Sequence, residues 1–168
     1  MKIGLISDTH DNIKNIKTAV KIFAERKVDY AIHAGDITTP EAVEAFSSIR
    51  LIGVLGNNDI DVERLRSAFQ KIKGELKGDF CELEQDDLVI AVYHGTDFKR
   101  RESIIQSGKY DIVICGHTHK LENKEVAAVD EKTTIVINPG TANGWFFGYK
   151  ATAAIFDTMT RECEFVDL

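Results

Sequence analysis

The sequence predicts an α/β fold in which two mixed β-sheets face each other and carry helices on their outer sides. Three observations lead there. The amino-terminal third alternates strand, helix, strand, helix, strand, the order that pairs strands in parallel through helical crossovers. From Lys124 to Leu168 the pattern is mostly strands. Across 168 residues only Pro40 and Pro139 are prolines and no Ser- or Gly-rich stretch marks a linker, so residues 1–168 are expected to form a single domain around one substantial core.

Taken in order, Lys2–Ser7 is a compact apolar run and reads as a buried strand. After the polar turn Asp8–Asn12, the apolar residues Ile13, Ile16, Val20, Ile22 and Phe23 keep helical spacing up to about Arg26. Tyr30–Ala34 is the second strand, closed by Gly35-Asp36. Thr39 is placed to cap a second helix with Pro40 at its first position. Leu51–Leu55 forms the third strand and Gly56 ends it. Asp79–Glu84 and Leu88–Tyr93 read as a hairpin turning at Gln85-Asp86-Asp87. A helix from about Lys99 to Ser107 precedes the strand Ile112–Cys115. The strands Glu125–Val129, Thr133–Ile137, Lys150–Phe156 and Glu162–Val166 complete the chain.

Composition narrows the classes of function. Apolar residues make up 43% and charged residues 29%, the mix of an ordinary globular protein. A net charge of −6 argues against general affinity for the nucleic acid backbone and suits a site that collects cations. Cys81, Cys115 and Cys163 share no CxxC spacing and read as free thiols in a reducing compartment. The opening MKIGLISDTH is too short an apolar run for a signal peptide, with Asp8 interrupting it, and no run approaches the roughly 20 apolar residues of a membrane span. A soluble, cytoplasmic protein without a membrane partner is the expectation.

The informative pattern is where ligand-capable side chains fall. Asp8 and His10 follow the first strand, Asp36 the second, Asn57 the third, His94 the second hairpin strand, and His117 and His119 the strand ending at Cys115. Carboxyl ends of parallel strands lie along one sheet edge, where ligand sites collect. In Asp8-Thr9-His10 and His117-Thr118-His119 the paired residues lie two apart, so in extended backbone each pair points one way and is able to bite one metal. Gly35, Gly56, Gly95 and Gly116 stand beside these residues, where a tight turn leaves no room for a Cβ. Any one of these histidines alone is more simply a surface residue; the joint pattern is what is specific. His33 lies inside its strand and reads as structural or as a support behind the ligands.

Asp8-x-His10, Gly35-Asp36, Gly56-Asn57-Asn58-Asp59, His94-Gly95 and Gly116-His117-x-His119 resemble, in order, the motif set of the calcineurin-like metallophosphoesterases. The short length and Asn138-Pro139-Gly140-Thr141 resemble its small phosphodiesterase branch, which lacks a capping domain. The resemblance implies an αββα sandwich with two divalent ions at the sheet rim. Carried over by position, Asp8, His10 and His119 hold the first ion, Asn57, His94 and His117 the second, and Asp36 bridges them. Mn²⁺ or Ni²⁺ suits this mixed ligand set best, with Fe²⁺, Zn²⁺ and Mg²⁺ behind. The implied reaction is hydrolysis of a small phosphodiester by a hydroxide bridging the ions.

No covalent nucleophile is then required, and Cys115, at the end of an apolar strand, reads as packing. Asn58 and Asp59 are the candidate catalytic residues. Asn58 departs from the family's usual histidine and is unable to act as a general acid at neutral pH; Asp59 would orient the loop or a ligand. Lys99-Arg100-Arg101 offers either a phosphate contact or a solvated helix turn. Trp145, Phe146 and Phe147 suggest a stacking platform or a homodimer interface, with core packing the default. The competing readings are a metal-binding scaffold of the retromer-subunit type, where parts of the ligand set are altered, and a phosphomonoesterase. A dedicated nucleic-acid surface is not expected.

Overall fold

The computed structural model describes residues 1–128, 132–144 and 148–168. In its first half, the elements are β1 (Lys2–Ile6), α1 (Ile13–Glu25), β2 (Tyr30–His33), α2 (Pro40–Glu44), β3 (Leu51–Gly53), α3 (Val62–Lys71) and β4 (Glu75–Leu76). Then come β5 (Phe80–Gln85), β6 (Leu88–Tyr93), α4 (Phe98–Gln106), β7 (Ile112–Ile114), β8 (Leu121–Ala127), β9 (Thr133–Pro139), β10 (Thr152–Asp157) and β11 (Glu162–Asp167). One sheet has the order β11-β10-β1-β2-β3-β4 and the other β5-β6-β7-β9-β8. β1 to β4 pair in parallel, as do β6, β7 and β9; β10 joins β1 antiparallel, and β5 and β8 are antiparallel edges.

Local chemistry explains the boundaries. Thr39 accepts from the Ala42 N–H with Pro40 in the first turn, the expected start of α2. Asn12, Asp61 and Asp97 cap the other three helices through their side-chain oxygens. The β5–β6 turn places Asp86 and Asp87 at φ of +50° and +63°, the left-handed pair that a two-residue hairpin needs. α3 and β4 were not foreseen. The α3 segment VERLRSAFQK is mostly polar and buries only Leu65, Ala68 and Phe69, too narrow a stripe to stand out against its charges. β8 begins at Leu121, ahead of the expected Glu125, because its charged, mostly exposed residues fit an edge; the expected end at Val129 lies outside the described residues.

The strands alternate their faces. Ile3, Leu5, Ile32, Ile52, Ile90, Val92, Ile112, Ile114 and Phe156 fill the space between the sheets. Ala31, Leu51 and Ile155 point outward against Ile16, Phe23, Phe46, Leu65 and Phe69 of the helical layer. On the far side Ala91, Val113 and Val136 pack against Ile105 of α4. This is the αββα order of layers. Two strand glycines make it close: a Cβ on Gly4 would stand 2.7 Å from the Phe23 ring, and one on Gly53 2.6 Å from that of Phe69. Among the described residues no helix is long and apolar enough to cross a membrane.

Candidate metal centre

The loops leaving β1, β2, β3, β6 and β7 meet at one rim. Asp8, fully buried, donates its N–H to the Gly35 carbonyl at 3.0 Å, and the His10 N–H reaches the Asp36 carbonyl at 3.1 Å. The loops from β1 and β2 are thereby laced together. Asp8 Oδ2 accepts from the Ser7 hydroxyl at 2.5 Å and from the His117 N–H at 3.1 Å. That second bond crosses between the sheets. A Cβ on Gly116 would overlap Ser7 Oγ and sit 2.7 Å from Asp8 Oδ2, so glycine is required for this approach.

Asp8, His10, Asp36, His117 and His119 have φ of +52°, +39°, +60°, +65° and +61°. This corrects the expectation of extended backbone in the two Asp/His-x-His pairs. Left-handed backbone at a non-glycine residue costs of order 1 kcal/mol or more, and such residues cluster where surrounding contacts enforce a functional geometry. His117 and His119 consequently face different neighbours. His119 Nε2 lies 3.1 Å from Asp8 Oδ1, whereas the His117 ring stands 5.2 Å from that of His94.

Ligand atoms of Asp8, His10 and His119 lie within 4.8 Å of one another, and those of Asp8, Asp36 and His94 meet the same limit. Asp36 Oδ2 is 3.4 Å from His94 Nε2 and 3.7 Å from His10 Nε2. His94 Nδ1 is 2.7 Å from the Ala34 carbonyl, so in the neutral ring that nitrogen carries the proton and Nε2 presents a lone pair. His94 Nε2 and Asp8 Oδ1 are both buried and 4.0 Å apart, each with a polar neighbour (Asp36 Oδ2 and His119 Nε2) but neither with a well-directed hydrogen bond. Two such lone pairs facing one space are costly unless a cation or donor fills it, and the donor set of carboxylates and imidazoles fits a divalent ion.

Asn57 is exposed at the same rim and its Oδ1 accepts from Thr96 at 3.3 Å. Asn58 donates to Asp36 twice, from its backbone at 2.8 Å and its side chain at 2.7 Å. Burial opposes charge on Asp36, yet His94 and these two donors outweigh it and hold the carboxyl below the usual range. Asp59 is engaged by the backbone: it accepts from the N–H groups of Asp36, Gly56 and Thr38 at 2.7–2.8 Å. Asn138, singled out with its Pro-Gly-Thr continuation, donates to the Gly116 carbonyl at 2.8 Å and so braces the loop of His117.

Other expectations resolve structurally. Arg100, exposed, pairs with Asp79 and lies over the Tyr93 ring, and Arg101, buried, pairs with Glu102 and Glu122; Arg101 is thus withheld from a phosphate, while Lys99 and Arg100 stay at the surface. Burial pushes the Cys115 thiol up to about 11, which suits packing and not nucleophilic attack. Trp145, Phe146 and Phe147 lie outside the described residues.

His33 carries a role that its position in a strand conceals. Its Nδ1 accepts from the Gly35 N–H at 3.2 Å, leaving Nε2–H to donate to Thr9 Oγ1 at 3.1 Å, so it clamps both ligand loops. Burial drives its pKa down to about 3, and the folded protein keeps it neutral. An unfolded histidine titrates near 6.5, so the unfolded chain binds more protons between these values. The stability His33 confers is therefore complete above pH 6.5 and lost as pH falls toward 3. In urea unfolding, the wild type is expected to lose about 2 kcal/mol more between pH 7 and pH 5 than His33→Gln does; parallel pH profiles for the two proteins would refute this.

A four-layer sandwich whose strand ends gather carboxylates and imidazoles around buried lone pairs is built to hold divalent cations. The comparisons make the class specific. Residues 1–161 match the family model of the calcineurin-like phosphoesterase superfamily domain. A phosphodiesterase of Methanocaldococcus jannaschii is 38% identical over 165 residues, covering 96% of each chain. A solved archaeal phosphodiesterase superposes with a TM-score of 0.91 at 37% identity over all of both chains. A phosphoesterase from E. coli, at 16% identity, shares the fold alone, with a TM-score of 0.71 over 99% of this chain and 98% of its own. The chain belongs to the calcineurin-like phosphoesterase superfamily. It is a hydrolase of phosphoesters that uses divalent metal ions.

Proposed function

We infer that the chain is a dinuclear-metal phosphodiesterase acting on small diesters. The observation that carries this is the facing pair of buried lone pairs on Asp8 and His94, between His119 on one side and Asp36 on the other. Asp8, His10 and His119 hold one ion; Asn57, His94 and His117 hold the second; Asp36, within reach of both His10 and His94, is shared. Mn²⁺ or Ni²⁺ fits the mixed oxygen and imidazole donors. When bound, such ions neutralise charge on phosphoryl oxygens and ease deprotonation of a water.

The protein's own groups do the rest by positioning. Asn58 orients Asp36 through two hydrogen bonds and has no proton to give a leaving oxygen at neutral pH. Esters with good leaving groups are therefore favoured over those with poor ones, and we read the preferred esters as diesters. The likeness to the archaeal phosphodiesterases supports the same preference. The net charge of −6 and the internal pairing of Arg100 and Arg101 disfavour long nucleic acid as substrate.

The test is hydrolysis of bis(4-nitrophenyl) phosphate and 4-nitrophenyl phosphate by metal-stripped protein given Mn²⁺, Ni²⁺, Mg²⁺ or Zn²⁺ in turn. The expected outcome is turnover only with added metal, greatest with Mn²⁺ or Ni²⁺, and at least about tenfold faster for the diester. Equal or higher rates on the monoester would overturn the diester assignment. Ion binding without turnover of either ester would favour a scaffold.

A further inference from the structure

Beside the His94 and His117 loops the surface opens into a cleft of about 560 Å³, between the first turn of α4 and the start of β8. A bare phosphoryl group occupies little of that volume, which lies within the range of small-molecule sites. Phe98, 69% exposed, and Leu121, 51% exposed, both line it. They are two of the five exposed large apolar side chains among the described residues, and no packing requirement explains their convergence on one cleft. Thr96 and Thr118 bring hydroxyl groups, and Lys120 stands exposed at its edge. Arg101 and Glu122 lie beneath, already paired with each other, so the cleft offers little to balance a further anionic group.

The geometry points to this cleft as a subsite for one ester arm of the substrate, taking a planar ring, aryl or nucleobase, against Phe98 and Leu121. The assignment rests on the phosphodiesterase reading above. A monoester has one arm to place; a diester held at the metal rim has a second that reaches such a cleft. The arm is uncharged, since only Lys120 is left to meet a negative charge there, and the threonine hydroxyls suit polar edges of a ring.

Titration calorimetry in the cold on the Mn²⁺-loaded protein tests this with dimethyl phosphate, diphenyl phosphate and the methyl ester of adenosine 5′-monophosphate. Ring stacking and burial should make a ring-bearing diester bind about tenfold tighter than dimethyl phosphate. In Phe98→Ala and Leu121→Ala that ratio should fall to within about twofold, whereas the remote, exposed Met159→Ala should keep it. A gain for the adenosine ester alone identifies a nucleobase site, and a gain for diphenyl phosphate alone an aryl site. A ratio near one in the wild type, or one unchanged by Phe98→Ala, overturns the subsite. Ring-dependent binding without turnover of bis(4-nitrophenyl) phosphate would strike the hydrolytic reading and leave the subsite standing; turnover without ring preference would do the reverse.

Discussion

Replacing Asp36 with asparagine is expected to lower metal-supported diester hydrolysis on the order of a thousandfold and to cost the protein one bound ion. The reason lies in its reach. Asp36 Oδ2 approaches His94, which stands in its own ligand cluster with Asp8, and on the other side His10, which belongs to the neighbouring cluster of Asp8 and His119. Asparagine keeps the size of the side chain and an oxygen to accept from the Asn58 N–H, but it removes the negative charge that two cations would share. Metal content by mass spectrometry, measured beside kcat/KM, separates loss of an ion from misfolding. A variant that retained both ions and a tenth of the activity would refute the shared-ligand role.

The second large effect concerns stability. Asp59→Ala is expected to destabilise the protein by about 3 kcal/mol in urea unfolding, because it orphans three backbone N–H groups at once. Those of Asp36, Gly56 and Thr38 all converge on this carboxylate, which is 5% exposed. The same change frees the turn that carries Asp36, so activity should fall with stability. Asp59→Asn, which keeps an acceptor oxygen, should lie between. A loss below about 1 kcal/mol for the alanine variant would show that water replaces the carboxylate readily.

Much of this was legible in the sequence, for identifiable reasons. Apolar runs with turn residues behind them gave β1, β2, β3 and the β5–β6 hairpin to within a residue or two. The Thr39-Pro40 signal gave α2. The candidate ligand positions stand where strands end, a relation that topology turns into proximity for Asp8, His10, Asp36, His94 and His119, whereas Asn57 and His117 lie outside these two clusters. α3 was missed because its buried stripe is narrow, although Asp61 as a cap, with Glu63 in the first turn and Lys71 in the last, was a usable signal. The left-handed backbone at His117 and His119 was not legible, since such backbone at a histidine has no local signature. Nor was the clamp formed by His33, which depends on Thr9 and Gly35 arriving from separate loops.

The rim draws on both sheets. Asp8, His10, Asp36 and Asn57 follow strands of one, whereas His94, His117 and His119 follow strands of the other. Cations held between them would act as rivets across the interior seam, and opening the sandwich would have to release them. Ligand binding confined to the closed form raises the free energy of opening by mass action. Depriving cells of the metal should then shorten the protein's lifetime against proteases as well as silence it, and its abundance should follow the metal supply.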